Sequence, residues 1–207
     1  TVMSEHGVAM MGSAEAAGVD HFALLSIGPA SPEHPSDLFR VKAETERRLR
    51  ASSLAWTIIR PTAYQETWLE LVGRPLVETG RTRIFGRGQN PINFVAAGDV
   101  AGIVDQALAD PSLRGSTIEV AGPENLTFEG FVATIRQVTG ANGTVSHVPL
   151  PMMRLLAVAL RPIKPILAAQ IATAVVMDTR AMTADATDRV RRFPTVPVEP
   201  LASVIAE

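Results

Sequence analysis

With 207 residues, of which 46% are hydrophobic and 19% charged, the chain is long enough for one domain with a substantial core and unlike a disordered or fibrous protein. Its net charge of -2 gives no electrostatic reason to expect nucleic acid or an anionic membrane as a partner. Cysteine is missing from the sequence, which excludes disulfides, thiolate metal sites and a cysteine nucleophile. Residues 1–18 lack the basic start and long apolar core of a signal peptide, so we predict a cytoplasmic protein.

The first third of the chain predicts helix, strand, helix and strand. These elements are a helix over Glu5–Ala17, a strand over Phe22–Leu25, a helix from Ser36 to Arg50 and a strand over Trp56–Ile59. Gly18 ends the first helix, Ser36 is a candidate N-cap, and Pro61 stops the second strand. The continuously apolar run Phe22–Leu25 is typical of a strand covered on both faces. Two apolar strands joined by a helix predict a βαβ unit of a parallel sheet.

The rest of the chain continues to alternate between strands and helices. Within Gln65–Val77 we predict a helix that ends near Gly73 and Pro75, followed by an edge strand or hairpin arm over Arg81–Phe85 and a loop over 86–91. A strand over Ile92–Ala96, a helix over Val100–Ala109 that Asp99 caps and a strand over Ser116–Ala121 come next. The remaining predicted elements are a helix from Thr127 to Val138 that stops at Gly140, a strand over Thr144–Val148, two apolar helices within 149–177, a polar helix around 185–192 and a short helix after Pro200. This order predicts an α/β fold.

Polar residues stand where the two strands of the βαβ unit end. Ligands of parallel sheets bind at the carboxyl ends of the strands, where Ser26 and the segment Pro61–Tyr64 lie, and Lys42 is on the helix between them. The residues alone leave other roles open. Lys42 is spaced to pair with Glu46 at i+4, and a serine that begins a loop often satisfies local backbone groups. The four histidines have no ligand-like spacing, so we propose no metal site.

Seven short motifs carry a resemblance to a known family. They are Ala16–Phe22, Leu25–Ser26, Lys42–Glu46, Leu49–Ser52, Thr57–Pro61, Gly98–Ala101 and Val120–Thr127. In this order they resemble the NmrA-like branch of the atypical short-chain dehydrogenase/reductases, whose members generally bind NAD(P) on a Rossmann domain. The resemblance implies an N-terminally shortened, Rossmann-like parallel sheet with flanking helices over residues 1–145, with substrate-side insertions from about 65–95. Residues 146–207 would form a small, mostly helical cap or tail that is not an independent domain.

The resemblance also implies roles for the residues at the strand ends. The residues implied to bind the cofactor are Ser26, Lys42, Pro61, Thr62 and Ala63. The residues implied to act in catalysis are Lys42, Ser26 and Tyr64. The residues implied to contact the substrate are Tyr64 and Trp68. In the family pattern the lysine holds the nicotinamide ribose, and the segment after the second strand meets the carboxamide. Tyr64 and Trp68 would line an aromatic pocket, although a core or interface role explains them as well.

Two departures from the family pattern affect these implications. No G-x-G-x-x-G or G-x-x-G-x-x-G occurs in the sequence, and the chain opens after the fourth strand of the family fold, as a fragment or as a naturally shortened protein. We therefore expect NADP or NAD if the full protein has the preceding segment, and otherwise no cofactor. In a shortened protein, the exposed sheet edge beside the first strand would favour a homodimer or a partner that covers it. The second departure is Leu38, which stands four residues before Lys42 where the superfamily has a proton-donating tyrosine.

Three functions fit these observations. The leading one is an NAD(P)H-dependent oxidoreductase acting on a small apolar or aromatic molecule, with water or Tyr64 supplying the proton. The second is a non-catalytic NAD(P)H-sensing regulator, which Leu38 favours. The third is a truncated, cofactor-free cyclase or isomerase that uses the old substrate cleft. The expected partner is a small-molecule substrate, with no nucleic acid and no membrane.

Overall fold

The computed structural model describes residues 2–206, with side chains from residue 7 onward. Its helices are α1 (Val2–Ala16), α2 (Asp37–Arg50), α3 (Gln65–Trp68), α4 (Arg74–Thr79), α5 (Ala97–Ala109), α6 (Phe128–Thr139), α7 (Leu150–Ala159), α8 (Pro165–Thr179), α9 (Thr187–Arg192) and α10 (Leu201–Ala206). Its strands are β1 (Phe22–Leu25), β2 (Trp56–Pro61), β3 (Ala63–Tyr64), β4 (Arg81–Phe85), β5 (Ile92–Val95), β6 (Ser116–Val120), β7 (Glu124–Leu126) and β8 (Thr144–Val148). In this part of the chain no helix combines the length and the hydrophobicity needed to cross a bilayer.

The chain divides into two compact units, each made of three separate segments. Unit 1 consists of residues 1–62, 98–120 and 187–197, and unit 2 consists of residues 63–97, 121–186 and 198–207. The two units are therefore interleaved along the sequence.

Unit 1 contains a three-stranded parallel sheet in the order β1-β2-β6. The βαβ unit predicted from the sequence is confirmed, with Phe22 opposite Trp56 and Leu25 opposite Ile59. The prediction that β1 is covered on both faces is wrong, because its residues are only partly buried and the Leu25 side chain is 44% exposed. In the sheet that residues 2–206 form, β1 is the outer strand and pairs with β2 alone, and the core forms under β2 instead, where Ile58 is fully buried.

Helix α2 begins and ends where its polar residues predict. Ser36 precedes it with an extended backbone, but its side chain makes no capping hydrogen bond to the helix. Asp37 in the first turn and basic residues in the last turn match the helix dipole. The fully buried side chains of Phe39 and Leu49 fix the orientation of the helix.

In unit 2, strand β3 pairs in parallel with β5, which pairs antiparallel with β7, and β4 pairs in parallel with β8. Strand β4 alternates between exposed and buried residues as predicted. Of the two alternatives for it, the edge strand is correct and the hairpin arm is wrong, because its partner β8 lies far along the chain and runs parallel. The core below contains Phe94 packed against Phe128 and Phe131, with ring centroids 5.9 and 4.9 Å apart.

The helical segment after Tyr64 runs further than the sequence predicts. Its predicted end near Gly73 and Pro75 is wrong: a π-helical turn over Leu69–Gly73 leads directly into α4, which ends at Gly80 with a φ of 67°. Pro75 stands in the first turn of α4, directly after the π-helical turn.

Asp99 has a different role from the predicted cap. It lies in the first turn of α5, but its carboxylate is fully buried and pairs with the buried guanidinium of Arg189 at 3.0 Å. Because each charge lacks contact with water, each depends on the other for its solvation. The pair joins α9 to α5 within unit 1.

Candidate functional site

Lys42 points to the carboxyl end of β1. It is partly buried on α2, and its Nζ donates a hydrogen bond of 2.8 Å to the carbonyl oxygen of Leu25, the last residue of that strand. Burial lowers the pKa of the Lys42 ammonium, and the charge of Glu46 acts against this shift. The sequence spacing had left open an i+4 ion pair between Lys42 and Glu46. In the structure the Glu46 carboxylate binds Ser26, Arg60 and Arg50 instead.

Ser26 follows Leu25 and is held from two sides. Its backbone N–H donates to the carbonyl of Ile59 at 2.7 Å, and its hydroxyl donates to Oε1 of Glu46. The residue is only 6% exposed. Because the hydroxyl proton is used by Glu46, the remaining lone pairs of the oxygen are oriented to accept hydrogen bonds.

A buried ion pair lies behind Ser26 and Lys42. Glu46 is fully buried, and Arg60 donates to it with Nε at 2.9 Å and Nη2 at 2.6 Å, as the two prongs of a fork. Arg50 adds a third contact at 3.0 Å. Burial raises the pKa of Glu46, but hydrogen bonds from Arg60 and Ser26 outweigh this effect, so its pKa lies below the ordinary value. The carboxylate is therefore charged at neutral pH.

Arg60 extends the network across the sheet. Its Nη1 donates to Glu119 of β6 at 2.9 Å, so helix α2, strand β2 and strand β6 are linked through one guanidinium. Residue spacing in the sequence does not indicate this network. One feature of the sequence could have indicated it: Arg60 lies near the end of an apolar strand. An arginine in such a position usually pairs with a carboxylate, because burying an unpaired charge is costly.

The end of β2 is fixed by its neighbours in unit 1. The N–H of Gly28 donates to the carbonyl of Pro61 at 3.0 Å, and the N–H of Thr62 donates to the carbonyl of Val120 at 3.1 Å. Thus Ser26, Lys42, Pro61 and Thr62, four of the predicted cofactor residues, belong to the same unit.

The remaining predicted residues, Ala63, Tyr64 and Trp68, belong to unit 2. Tyr64 is partly buried. Burial, and to a smaller extent the negative charge of Glu66, raise the pKa of its phenol. Trp68 packs edge-on against Phe128, with ring centroids 4.5 Å apart, and contributes to the unit 2 core. Their contacts with cofactor or substrate stay predictions.

Leu38 occupies the first part of α2, one turn before Lys42, and is partly buried. A leucine side chain has no proton to donate, so the structure provides no phenol at this place on the helix. The Tyr-Lys pair of the wider superfamily is accordingly incomplete on α2.

Comparison with known proteins identifies the family. The sequence profile described as the NmrA-like family matches residues 2–192. The chain belongs to the NmrA-like family. This confirms the family resemblance carried by the seven motifs.

Two curated relatives of this NmrA-like chain are named as reductases. The NAD(P)H azoreductase of Xenophilus azovorans is 26% identical over 132 residues, which cover 64% of this chain and 46% of that protein. The (4-alkanoyl-5-oxo-2,5-dihydrofuran-3-yl)methyl phosphate reductase of Streptomyces griseus is 29% identical over 129 residues, covering 62% of this chain and 45% of that protein. The NmrA-like chain thus aligns with about half the length of each relative.

Solved structures support the predicted fold. The NADPH-dependent quinone oxidoreductase of Escherichia coli, complexed with NADPH, has a TM-score of 0.76 at 21% identity, covering 95% of this chain and 68% of that one. The triphenylmethane reductase of Citrobacter sp., complexed with NADP(H), has a TM-score of 0.76 at 19% identity, covering 100% and 72%. The similarity confirms the α/β, Rossmann-like fold of this NmrA-like chain.

Proposed function

We propose that this chain provides the nicotinamide end of an NAD(P)H site in a reductase of small apolar or aromatic molecules. The observation that carries the proposal is the ammonium of Lys42 at the carboxyl end of β1, beside Ser26, in a member of the NmrA-like family. The relatives named for azo compounds, quinones and triphenylmethane dyes support an aromatic acceptor. When bound, NAD(P)H would supply the hydride.

The polar groups of unit 1 fit a ribose and a carboxamide. An ammonium has three N–H groups, and Lys42 uses one of them on Leu25, which leaves two for ribose hydroxyls. Ser26 presents acceptor lone pairs, because its proton is directed to Glu46. The carboxamide of nicotinamide carries an NH₂ donor that such an acceptor suits. We assign the backbone of Pro61 and Thr62 to the same end of the cofactor.

A proton is also needed when the substrate is reduced. With Leu38 on α2, we assign this role to water or to Tyr64. The phenol of Tyr64, whose pKa is raised above its ordinary value, is protonated at neutral pH, as a donor must be. We assign Tyr64 and Trp68 to the substrate.

The second candidate is an NAD(P)H-sensing regulator, which Leu38 specifically favours. A regulator needs the binding role of Lys42 but no positioned acid. The two candidates therefore agree on dinucleotide binding and differ on turnover.

Lys42→Ala tests the binding role. Loss of hydrogen bonds from a charged donor costs about 1.5–3 kcal/mol, so we expect the Kd for NADPH to rise about tenfold to a hundredfold. Lys42 and Lys164 are the only lysines, so Lys164→Ala, at an exposed position, is the matched control and should bind as the parent protein does. The readout is a fluorescence titration with NADPH and with NADH.

The pH dependence provides an independent check. Since the pKa of Lys42 is lowered, the ammonium is lost at a lower pH than for an exposed lysine, and NADPH affinity should fall as the pH rises through that value. Lys42→Ala should lack this step. Equal affinity of the parent and Lys42→Ala proteins at all pH values would contradict the assignment.

Turnover separates the candidates. Oxidation of NADPH in the presence of a quinone or an azo dye, followed by absorbance, supports the reductase. Binding without oxidation supports the regulator. If the full-length protein binds neither dinucleotide, both fail and the cofactor-free cyclase or isomerase becomes the hypothesis to test.

A further inference from the structure

Helices α7 and α8 form a hairpin in unit 2 whose turn end is hydrophobic and exposed. We call residues 155–167 the hairpin tip. Its side chains include Leu155 at 69%, Val158 at 73%, Ile163 at 74% and Ile166 at 77% exposure. Large aliphatic side chains at such exposure, close together along the chain, mark an interaction surface.

The opposite end of the hairpin is firmly packed. Met153 and Met177 are buried, and the buried carboxylate of Asp178 accepts hydrogen bonds from the backbone N–H groups of Arg87 and Gly88, both at 2.9 Å. The exposure of the tip is therefore not a consequence of a loosely attached hairpin, because its base is anchored by packing and by a carboxylate.

Charge around the tip has one sign. Between Glu129 and Asp178 the sequence contains four of the chain's 19 basic residues and none of its 21 acidic ones. Three of the four are Arg154, Arg161 and Lys164, which lie on or beside the tip and are exposed. The net charge of -2 for the whole chain conceals this local excess.

We infer that the hairpin tip binds the surface of an anionic lipid bilayer. The aliphatic side chains would enter the boundary between headgroups and acyl chains, to a depth of about 5–10 Å, and the basic side chains would meet lipid phosphates. This departs from the absence of a membrane partner expected from the net charge. It concerns attachment to a surface and is independent of the proposed reductase.

Charge complementarity favours a bilayer over a second copy of the chain. In a twofold-symmetric dimer the same patch contacts itself, so Arg161 and Lys164 of one copy would approach those of the other. Repulsion between the basic side chains of the two copies would oppose such a dimer. The anionic headgroups of a bilayer would instead neutralise these basic side chains.

Co-sedimentation with vesicles tests the inference. We expect the 207-residue protein to bind vesicles of phosphatidylcholine with about 30 mol% phosphatidylglycerol, and to bind pure phosphatidylcholine much more weakly. Each basic residue near an anionic surface contributes about fivefold, so Arg161→Glu/Lys164→Glu should reduce binding at least about 25-fold. Ile163→Asp/Ile166→Asp should abolish binding by removing insertion.

A matched control uses exposed aliphatic residues elsewhere in unit 2. Leu71 and Val77 are 54% and 50% exposed on the helical segment after Tyr64, and Leu71→Asp/Val77→Asp should bind vesicles as the parent does. Circular dichroism verifies that all variants are folded. A parent protein that stays in solution with anionic vesicles overturns the inference, as does equal loss in the control variant.

Insertion and self-association have separate readouts. Ile163→Trp should show a blue-shifted emission with anionic vesicles and quenching by brominated lipid. Light scattering after size exclusion gives the oligomeric state. A dimer that dissociates in Ile163→Asp/Ile166→Asp and does not bind vesicles would assign the tip to a second copy and overturn the bilayer proposal.

Discussion

Replacing Glu46 with Gln keeps the size and shape of the side chain and removes the charge that Arg60 faces. The carboxylate accepts hydrogen bonds from Ser26, Arg60 and Arg50 in the parent protein. In the variant, an amide NH₂ takes the place of one oxygen. It then stands against guanidinium N–H groups, which cannot accept its hydrogen bonds.

The size of the effect follows from the burial of the pair. Removing one partner of a buried ion pair typically costs about 3–5 kcal/mol. The side chain of Glu46 is 1% exposed, but that of Arg60 is 20% exposed and keeps its contact with Glu119. We therefore expect the lower end of the range, a loss of about 3 kcal/mol in the free energy of unfolding at neutral pH.

Urea unfolding followed by circular dichroism measures this loss, and its pH dependence tests the cause. The folded-state pKa of Glu46 lies below 4.5, the ordinary value that a glutamate has in the unfolded chain. Its contribution to stability is thus fully present above the unfolded value and is lost as the pH falls through the folded value. The difference between parent and variant should be constant near neutral pH and should shrink in acid.

Glu44→Gln is the matched control, two residues away on the same helix. Glu44 pairs with Arg47 and Arg48 at the surface, where water screens the charges, so stability should change little. A Glu46→Gln variant as stable as the parent would contradict the stabilising role of the carboxylate, as would a destabilisation that persists unchanged below the acidic transition.

Two further predictions concern unit 2 and the start of α5. Gly122→Ala should destabilise the protein by more than about 3 kcal/mol, because a Cβ at this position would lie 1.7 Å from the carbonyl oxygen of Phe94. Gly98→Ala is the control: a Cβ there would enter open space, so the variant should be as stable as the parent or more stable. Thermal unfolding compares the two variants. Asp178→Asn should lower the free energy of unfolding by about 2 kcal/mol, because Arg87 loses a charged hydrogen-bond acceptor. Protease cleavage in the loop over residues 86–91 should become faster. Cleavage at the rate of the parent protein would contradict the anchoring role of Asp178.

The parts of the fold that local chemistry determines were predictable. Strand β1 and strand β8 have the predicted boundaries, and Thr127 caps α6 through its hydroxyl, which accepts from the N–H of Gly130 at 3.0 Å. Gly140 ends the same helix with a φ of 72°. Each of these signals depends on residues within a few positions of one another.

The interactions that escaped prediction join residues distant in sequence. Glu46, Arg60 and Glu119 meet only because the parallel register of β2 and β6 places residue 60 opposite residue 119. Likewise, nothing near Asp99 in the sequence indicates that its partner is Arg189. Spacing rules compare neighbours on one helix or strand, so they offered Lys42 as a possible partner of Glu46 and predicted a capping role for Asp99.

The interleaved segments of the two units have a consequence for biosynthesis. A ribosome adds about 5–20 residues per second from the N-terminus, so β1, β2 and β6 emerge well before residues 187–197, the last segment of unit 1. Until Arg189 emerges, the carboxylate of Asp99 has no guanidinium to replace water, and closing α5 over it is unfavourable. Completion of unit 1 must therefore await residues 187–197, and a nascent chain stalled before α9 should remain a substrate for chaperones.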